Sequence, residues 1–301
     1  MPKILYKNIN KQNTSGVSEW EKLKNNHEQV IRVFLDPYLK KRSMHQKNPV
    51  LDFLFEYYPF RPSQLKRWSP GFGVELEVKG NTELPEVSEL TFSDGTAGLD
   101  EQLFPARREN SLRWIHNLLV KTSQKKPFFG CFGMHEWAMV YKAGQVRHQQ
   151  IPFRLTDSEI AECVESRPLL CTHFDAFRFF TEPAQPLNKH DLSRDNFSDM
   201  EQPGCIHTNM DLYKWAFKFY PWISSEMIRE AFFLAVETRK IDMQASPYDL
   251  REFGLEPIKI ETESGRKQYL DKQVMIFEKS KPVRAKLTEA YSGLLNLVVQ
   301  D

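Results

Sequence analysis

Three short stretches set histidine and carboxylate side chains inside otherwise apolar sequence. The first, 131–137, carries His135 and Glu136 next to Trp137; the second, 171–178, carries His173, Asp175 and Arg178. The third, 205–214, carries His207, Asn209, Asp211, Tyr213 and Lys214. Three of the eight histidines and three of the four cysteines fall in these stretches. Buried ionisable groups are costly unless they are paired, so this concentration among Phe, Trp, Met and Cys points to one shared, water-poor pocket.

Such a pocket can work in two ways. Without a metal, Asp175 or Asp211 activates water or steadies a developing cation, with Glu136 as a further carboxylate, while His173 and His207 move protons. Arg178 or Lys214 then orients an anionic substrate, Trp137 or Tyr213 stacks on a flat base, and Asn209 offers a polar contact. With a metal, His135, His173 and His207 supply imidazoles to zinc, iron or manganese, and Glu136, Asp175 or Asp211 act as ligands or as partners of the histidines. In a helix over 206–219, His207 and Asp211 stand at i and i+4 and face the same way. A third reading gives the clusters no chemistry: they stabilise the core of a non-catalytic binding protein.

Several common sites are absent from the sequence. Gly71-Phe72-Gly73 lacks the third glycine of a dinucleotide fingerprint, and no Gly-Lys-Ser/Thr sequence forms a phosphate loop. His135-Glu136 opens like a zinc-protease motif, but Met139 stands where the second histidine belongs. No Gly-x-Ser-x-Gly elbow occurs.

The elements that must hold these side chains read as mostly helical. Apolar spacing predicts helices over 18–41, 48–58, 109–125, 157–166, 206–219, 225–243, 265–278 and 282–299, with Ser18 and Asp157 as caps and Pro221, Pro247 and Pro257 as breaks. The alternation Val74-Glu75-Leu76-Glu77-Val78 predicts a half-exposed strand ending in a turn at Gly80-Asn81, and 257–261 a small second strand. Residues 80–106 read as a long surface loop, and 188–201 as polar and exposed. The expected fold is mainly α, with a minor sheet in an α+β arrangement and no repeats. One domain over 1–301 is expected, with an N-terminal helical part, 1–126, and a site-bearing part, 127–301.

Composition narrows the classes further. The chain has 301 residues, 41 basic and 40 acidic side chains, and 38 aromatic residues that need burial, which excludes a disordered polymer. The near-neutral balance of +1 gives no overall basic footprint for nucleic acid. No apolar stretch approaches the roughly 20 residues of a membrane span, and the polar first thirteen residues do not form a signal peptide. Four cysteines in such a chain read as reduced thiols, and the expected location is cytoplasmic.

Along most of its length the sequence resembles a bacterial family commonly labelled 3-methyladenine DNA glycosylase. The resemblance rests on Asn48-Pro49-Val50-Leu51-Asp52-Phe53-Leu54-Phe55, Arg61-Pro62, Leu65-Lys66-Arg67-Trp68 and the stretches 130–141, 172–181, 201–216 and 246–250. It implies a hydrolase that releases an alkylated purine from damaged DNA, or from a nucleoside-like small molecule, without a cofactor. The second expectation is an enzyme dependent on a divalent metal and acting on a small molecule.

Overall fold

The computed structural model describes residues 4–6, 19–79, 82–144 and 150–298. The protein is mainly α-helical with one small sheet. Two compact units are built from interleaved segments: 1–117, 213–233 and 285–301 form the first, and 118–212 with 234–284 the second. The chain passes between them within the helices Glu109–Gln124, Leu212–Lys218, Ser225–Ala245 and Glu263–Val298. The units are thus interleaved along the chain, where the sequence suggests one domain with parts before and after residue 126.

The first unit contains the sheet, in the order β1 (Ile4–Tyr6), β2 (Val74–Glu77), β4 (Thr96–Leu99), β3 (Leu90–Ser93). β2 pairs antiparallel with β4, and β4 with β3, while β1 runs parallel to β2. The β3–β4 hairpin corrects the expectation of a loop over 80–106. Asp94 and Gly95 both adopt positive φ, 51° and 81°, as a two-residue hairpin turn requires. The strands have four residues each, too short for alternation to stand out. Gly80 and Asn81 lie outside the described residues. Against the sheet, Trp20, Trp68, Leu76 and Ala97 form a buried cluster, and the indole of Trp20 donates to Glu77 O at 2.9 Å.

Several helix boundaries differ from the sequence reading. The first helix runs Glu19–Ser43, and Ser18 lies outside the described residues. Thr156, not Asp157, caps Asp157–Glu165: its hydroxyl accepts from Glu159 N, and the Glu159 carboxylate accepts from Thr156 N. The helices expected over 265–278 and 282–299 are one element, Glu263–Val298, with Pro282 inside it. Proline there forgoes one backbone hydrogen bond, and the helix continues through it. Conversely, 206–219 divides into Ile206–Met210 and Leu212–Lys218. No strand forms at 257–261 among the described residues.

The second unit carries the polar stretches on short elements. Met134–Ala138 follows Gly133, whose φ of 74° suits glycine; a Cβ there would come within 3.0 Å of the Ala245 Cβ and 3.3 Å of the Tyr269 ring. Trp137 donates its indole N–H to Ala245 O at 2.8 Å. These two contacts fasten the helix bearing His135 to the end of Ser225–Ala245.

Candidate metal centre

All three histidines meet in the second unit. The rings of His135 and His207 cross at 86° with centroids 4.2 Å apart, and those of His173 and His207 stack at 18° and 5.3 Å. Each arrives from a different element: His135 from Met134–Ala138, His173 from the residue capping Phe174–Phe177, and His207 from Ile206–Met210.

Two residues of Ser225–Ala245 complete the centre, and the sequence reading missed both. Asp242 is fully buried, with Oδ1 2.8 Å from Nε2 of His135 and Oδ2 3.8 Å from Nε2 of His207. Arg239, three residues earlier and equally enclosed, donates from Nη1 to Oδ2 of Asp242 and, at 2.6 Å, to Oε1 of Glu136. The signal lay in the helix itself: Arg239 and Asp242 are charged residues at i and i+3 on a helix whose neighbours Ile241 and Met243 are core.

Nε2 of His135 and Oδ1 of Asp242 form a close, buried ion pair at 2.8 Å, and neither atom makes a well-formed hydrogen bond among the described residues. Two buried donor atoms this close can also serve as ligands of one ion. His135 Nε2, His207 and Asp242 together offer three donor atoms within 4.8 Å of one another.

A second group lies alongside. His173, Asp175 and Asp211 also bring one donor atom each within 4.8 Å. The Nδ1 of His173 is 2.6 Å from Oε1 of Glu201, whose other oxygen accepts from the Thr208 hydroxyl. Glu201 was expected to be exposed, yet it is 2% exposed. Its loop is pinned by Lys125, which donates to the carbonyls of Ser198, Asp199 and Glu201, and by Gln202, which clasps the backbone of Phe128. Charge alternation along 188–201 gives no hint of that tethering.

The three imidazoles differ in their affinity for protons. Burial disfavours charge on His135, but the Asp242 carboxylate outweighs it and lifts the pKa to about 10. For His173 burial is likewise outweighed, by Glu201 and then Asp211, and the pKa rises. His207 goes the other way: burial, reinforced by charge on His135 and His173, holds it well below the usual histidine value. Burial opposes ionisation of Asp242 too, but His135 and Arg239 keep it anionic. Burial also pushes the Cys171 thiol far up and the Cys205 thiol to about 12, and all four cysteines are free.

Other expected site residues are placed differently. The predicted pairing of His207 with Asp211 does not form: with the helix divided at 211, Asp211 comes within 4.0 Å of His173, and His207 turns to Asp242. Trp137 is fully enclosed, so its ring has no free face for a base. Asn209 is a structural bracket, donating to Pro203 O at 2.9 Å and accepting from Arg284 at 2.5 Å. Tyr213 and Lys214 belong to the first unit. There Tyr213 is enclosed by Tyr58, Phe60, Phe217 and Phe232, and the Lys214 ammonium lies 4.4 Å from the Trp215 ring centre. Arg178 stays near the centre through Asp175, at 3.2 Å, with 41% of its side chain exposed. No family model, curated protein or solved structure matches the chain.

Proposed function

We propose that the protein is a metal-dependent enzyme whose divalent cation is held by His135, His207 and Asp242. The observation that carries this reading is the buried pair His135 Nε2 and Asp242 Oδ1, 2.8 Å apart, neither with a well-formed hydrogen bond among the described residues. A native protein leaves few buried polar atoms unsatisfied, and one charged pair of them beside a second imidazole suits a shared partner. Two imidazole nitrogens and one carboxylate oxygen suit zinc, iron or manganese.

The surrounding residues fit the requirements of such a site. Arg239 occupies Oδ2 of Asp242 and leaves Oδ1 for the ion, fixing the carboxylate from outside the ligand set. His207, the member held most firmly in its neutral form, has the lone pair a ligand needs. It is also the way in: its side chain is 12% exposed, whereas His135 is at 1% and Asp242 at 0%. A cation here acts as a Lewis acid and makes water more acidic, which supports hydrolysis of a small molecule entering past His207.

Purine release from alkylated DNA, the activity implied by the family resemblance, is less well supported. Trp137 is enclosed, and Tyr213 is packed among Tyr58, Phe60, Phe217 and Phe232, so neither of the expected base-stacking rings has a free face for a base. No helix among the described residues is long and apolar enough to cross a membrane.

Metal analysis of protein purified without an affinity tag tests the reading. The expected result is close to one zinc, iron or manganese per chain or more, with loss in Asp242→Asn. A metal-free wild type that nevertheless releases base from methylated DNA would return the assignment to the glycosylase chemistry.

A further inference from the structure

The second polar group has the features of a cation site in its own right. We propose that His173, Asp175 and Asp211 hold a second divalent cation beside the first, so that the centre is dinuclear. This rests on the reading of the first position given above, and extends it.

The argument starts at His173. With Nδ1–H donating to the Glu201 carboxylate at 2.6 Å, the tautomer that results carries its lone pair on Nε2. Thr208 donates to the far oxygen of Glu201 and steadies the carboxylate in turn. This carboxylate–imidazole relay is what holds a metal-ligating histidine in orientation. Nε2 itself is 4.0 Å from Oδ2 of Asp211, too far for a hydrogen bond but within the span of two ligands on one ion. The imidazole is 2% exposed. Asp175 brings a third donor to the same place.

Charge supports the assignment. Asp175, Asp211 and Glu201 all bear on one buried imidazole. One nitrogen and two carboxylates make this donor set harder than that of the first position, favouring manganese or iron over zinc. Asp175 is also the most exposed of the three, with 21% of its side chain in solvent, so the second ion should exchange faster. Since the rings of His173 and His207 stack at 5.3 Å, the two positions are immediate neighbours. A paired site of this kind fits a substrate with two oxygens to hold, such as a phosphate or carboxylate ester.

The test is a titration of the full, chelator-treated chain with Co2+, read by calorimetry and by visible absorption, with manganese resonance spectra as a second probe. The expected result is two ions per chain in the wild type. Asp175→Asn should weaken the second by about tenfold or more, His173→Gln should abolish it, and both should keep the first. A single ion per wild-type chain, whichever variant removes it, overturns the second position and leaves the first standing. Two ions unaffected by both variants overturn the residue assignment, and no ion at all overturns the parent reading with it. Asp175 is partly exposed and its isosteric amide perturbs folding little, so that variant keeps the test decisive should His173→Gln fail to fold.

Discussion

Nε2 of His135 and Oδ1 of Asp242 face one another at 2.8 Å inside the second unit, and neither makes a well-formed hydrogen bond among the described residues. Two helices are held together for this encounter, through the packing of Gly133 and Trp137 against Ala245 and through the ion pair of Arg239 with Glu136. A fold that needed only stability would be served as well by an apolar pair of the same volume, since replacing buried ion pairs by packed hydrophobes is often neutral or better.

His207 separates the metal reading from a structural one. Its ring makes no hydrogen bond among the described residues, and its nearest charged atom is 3.8 Å away. His207→Ala should therefore cost no more than about 2 kcal/mol in urea unfolding. Metal affinity should fall by more than about 100-fold, because even losses outside the ligand set cost 10–100-fold. Large destabilisation with unchanged metal content would point to a packing role instead.

Glu201 acts through His173 and is a positioning residue. Glu201→Ala should weaken Co2+ binding by about 10–100-fold while circular dichroism stays near wild type. Glu201→Gln keeps an oxygen to accept from Nδ1 and should recover much of the loss. Equal effects of the two substitutions would show that the side chain's volume, not its acceptor, is what matters.

The legibility of this molecule in its sequence follows a physical divide. Helices with sustained periodicity, such as Glu109–Gln124 and Ser225–Ala245, announce themselves because one face must be apolar. The convergence of His135, His173 and His207 was legible for a related reason: polar side chains in apolar surroundings need partners. Asp242 and Arg239 escaped because they interrupt a helical pattern without breaking it. Glu201 escaped because its burial depends on tethers from Lys125 and Gln202, contacts that no local pattern encodes. The hairpin at Asp94-Gly95 carried its turn signal in plain view, but four-residue strands offer too little alternation to weigh beside it.

Arg239 should prove costly to remove. Arg239→Met leaves Glu136 and Asp242 buried without their shared cation, a change that costs about 3–5 kcal/mol in comparable pairs. The full loss is expected in chelator-treated protein. Added zinc should restore part of it, since an ion on Asp242 compensates the same charge. A variant with the wild-type unfolding midpoint in both conditions would show that the guanidinium contributes nothing to this centre.

His27 sets an acid limit in the first unit. It is fully buried in the helix Glu19–Ser43, and Nε2 donates to Leu65 O at 3.0 Å, while Nδ1 has no hydrogen-bond partner among the described residues. Burial pushes its pKa down to about 4, aided by the Arg229 charge and opposed by the Leu65 carbonyl. Because the folded pKa lies below the unfolded value of about 6.5, the unfolded chain binds the proton first as pH falls. The stabilisation is therefore complete above about pH 6.5 and is lost progressively towards pH 4, by roughly 3 kcal/mol in all. His207 titrates in the same sense, so the informative quantity is the difference between wild type and His27→Gln, which keeps a donor for the Leu65 carbonyl. Urea midpoints measured at pH 7.5 and pH 5 should converge for the variant relative to wild type by about 2 kcal/mol; parallel losses in both chains would remove His27 as the cause.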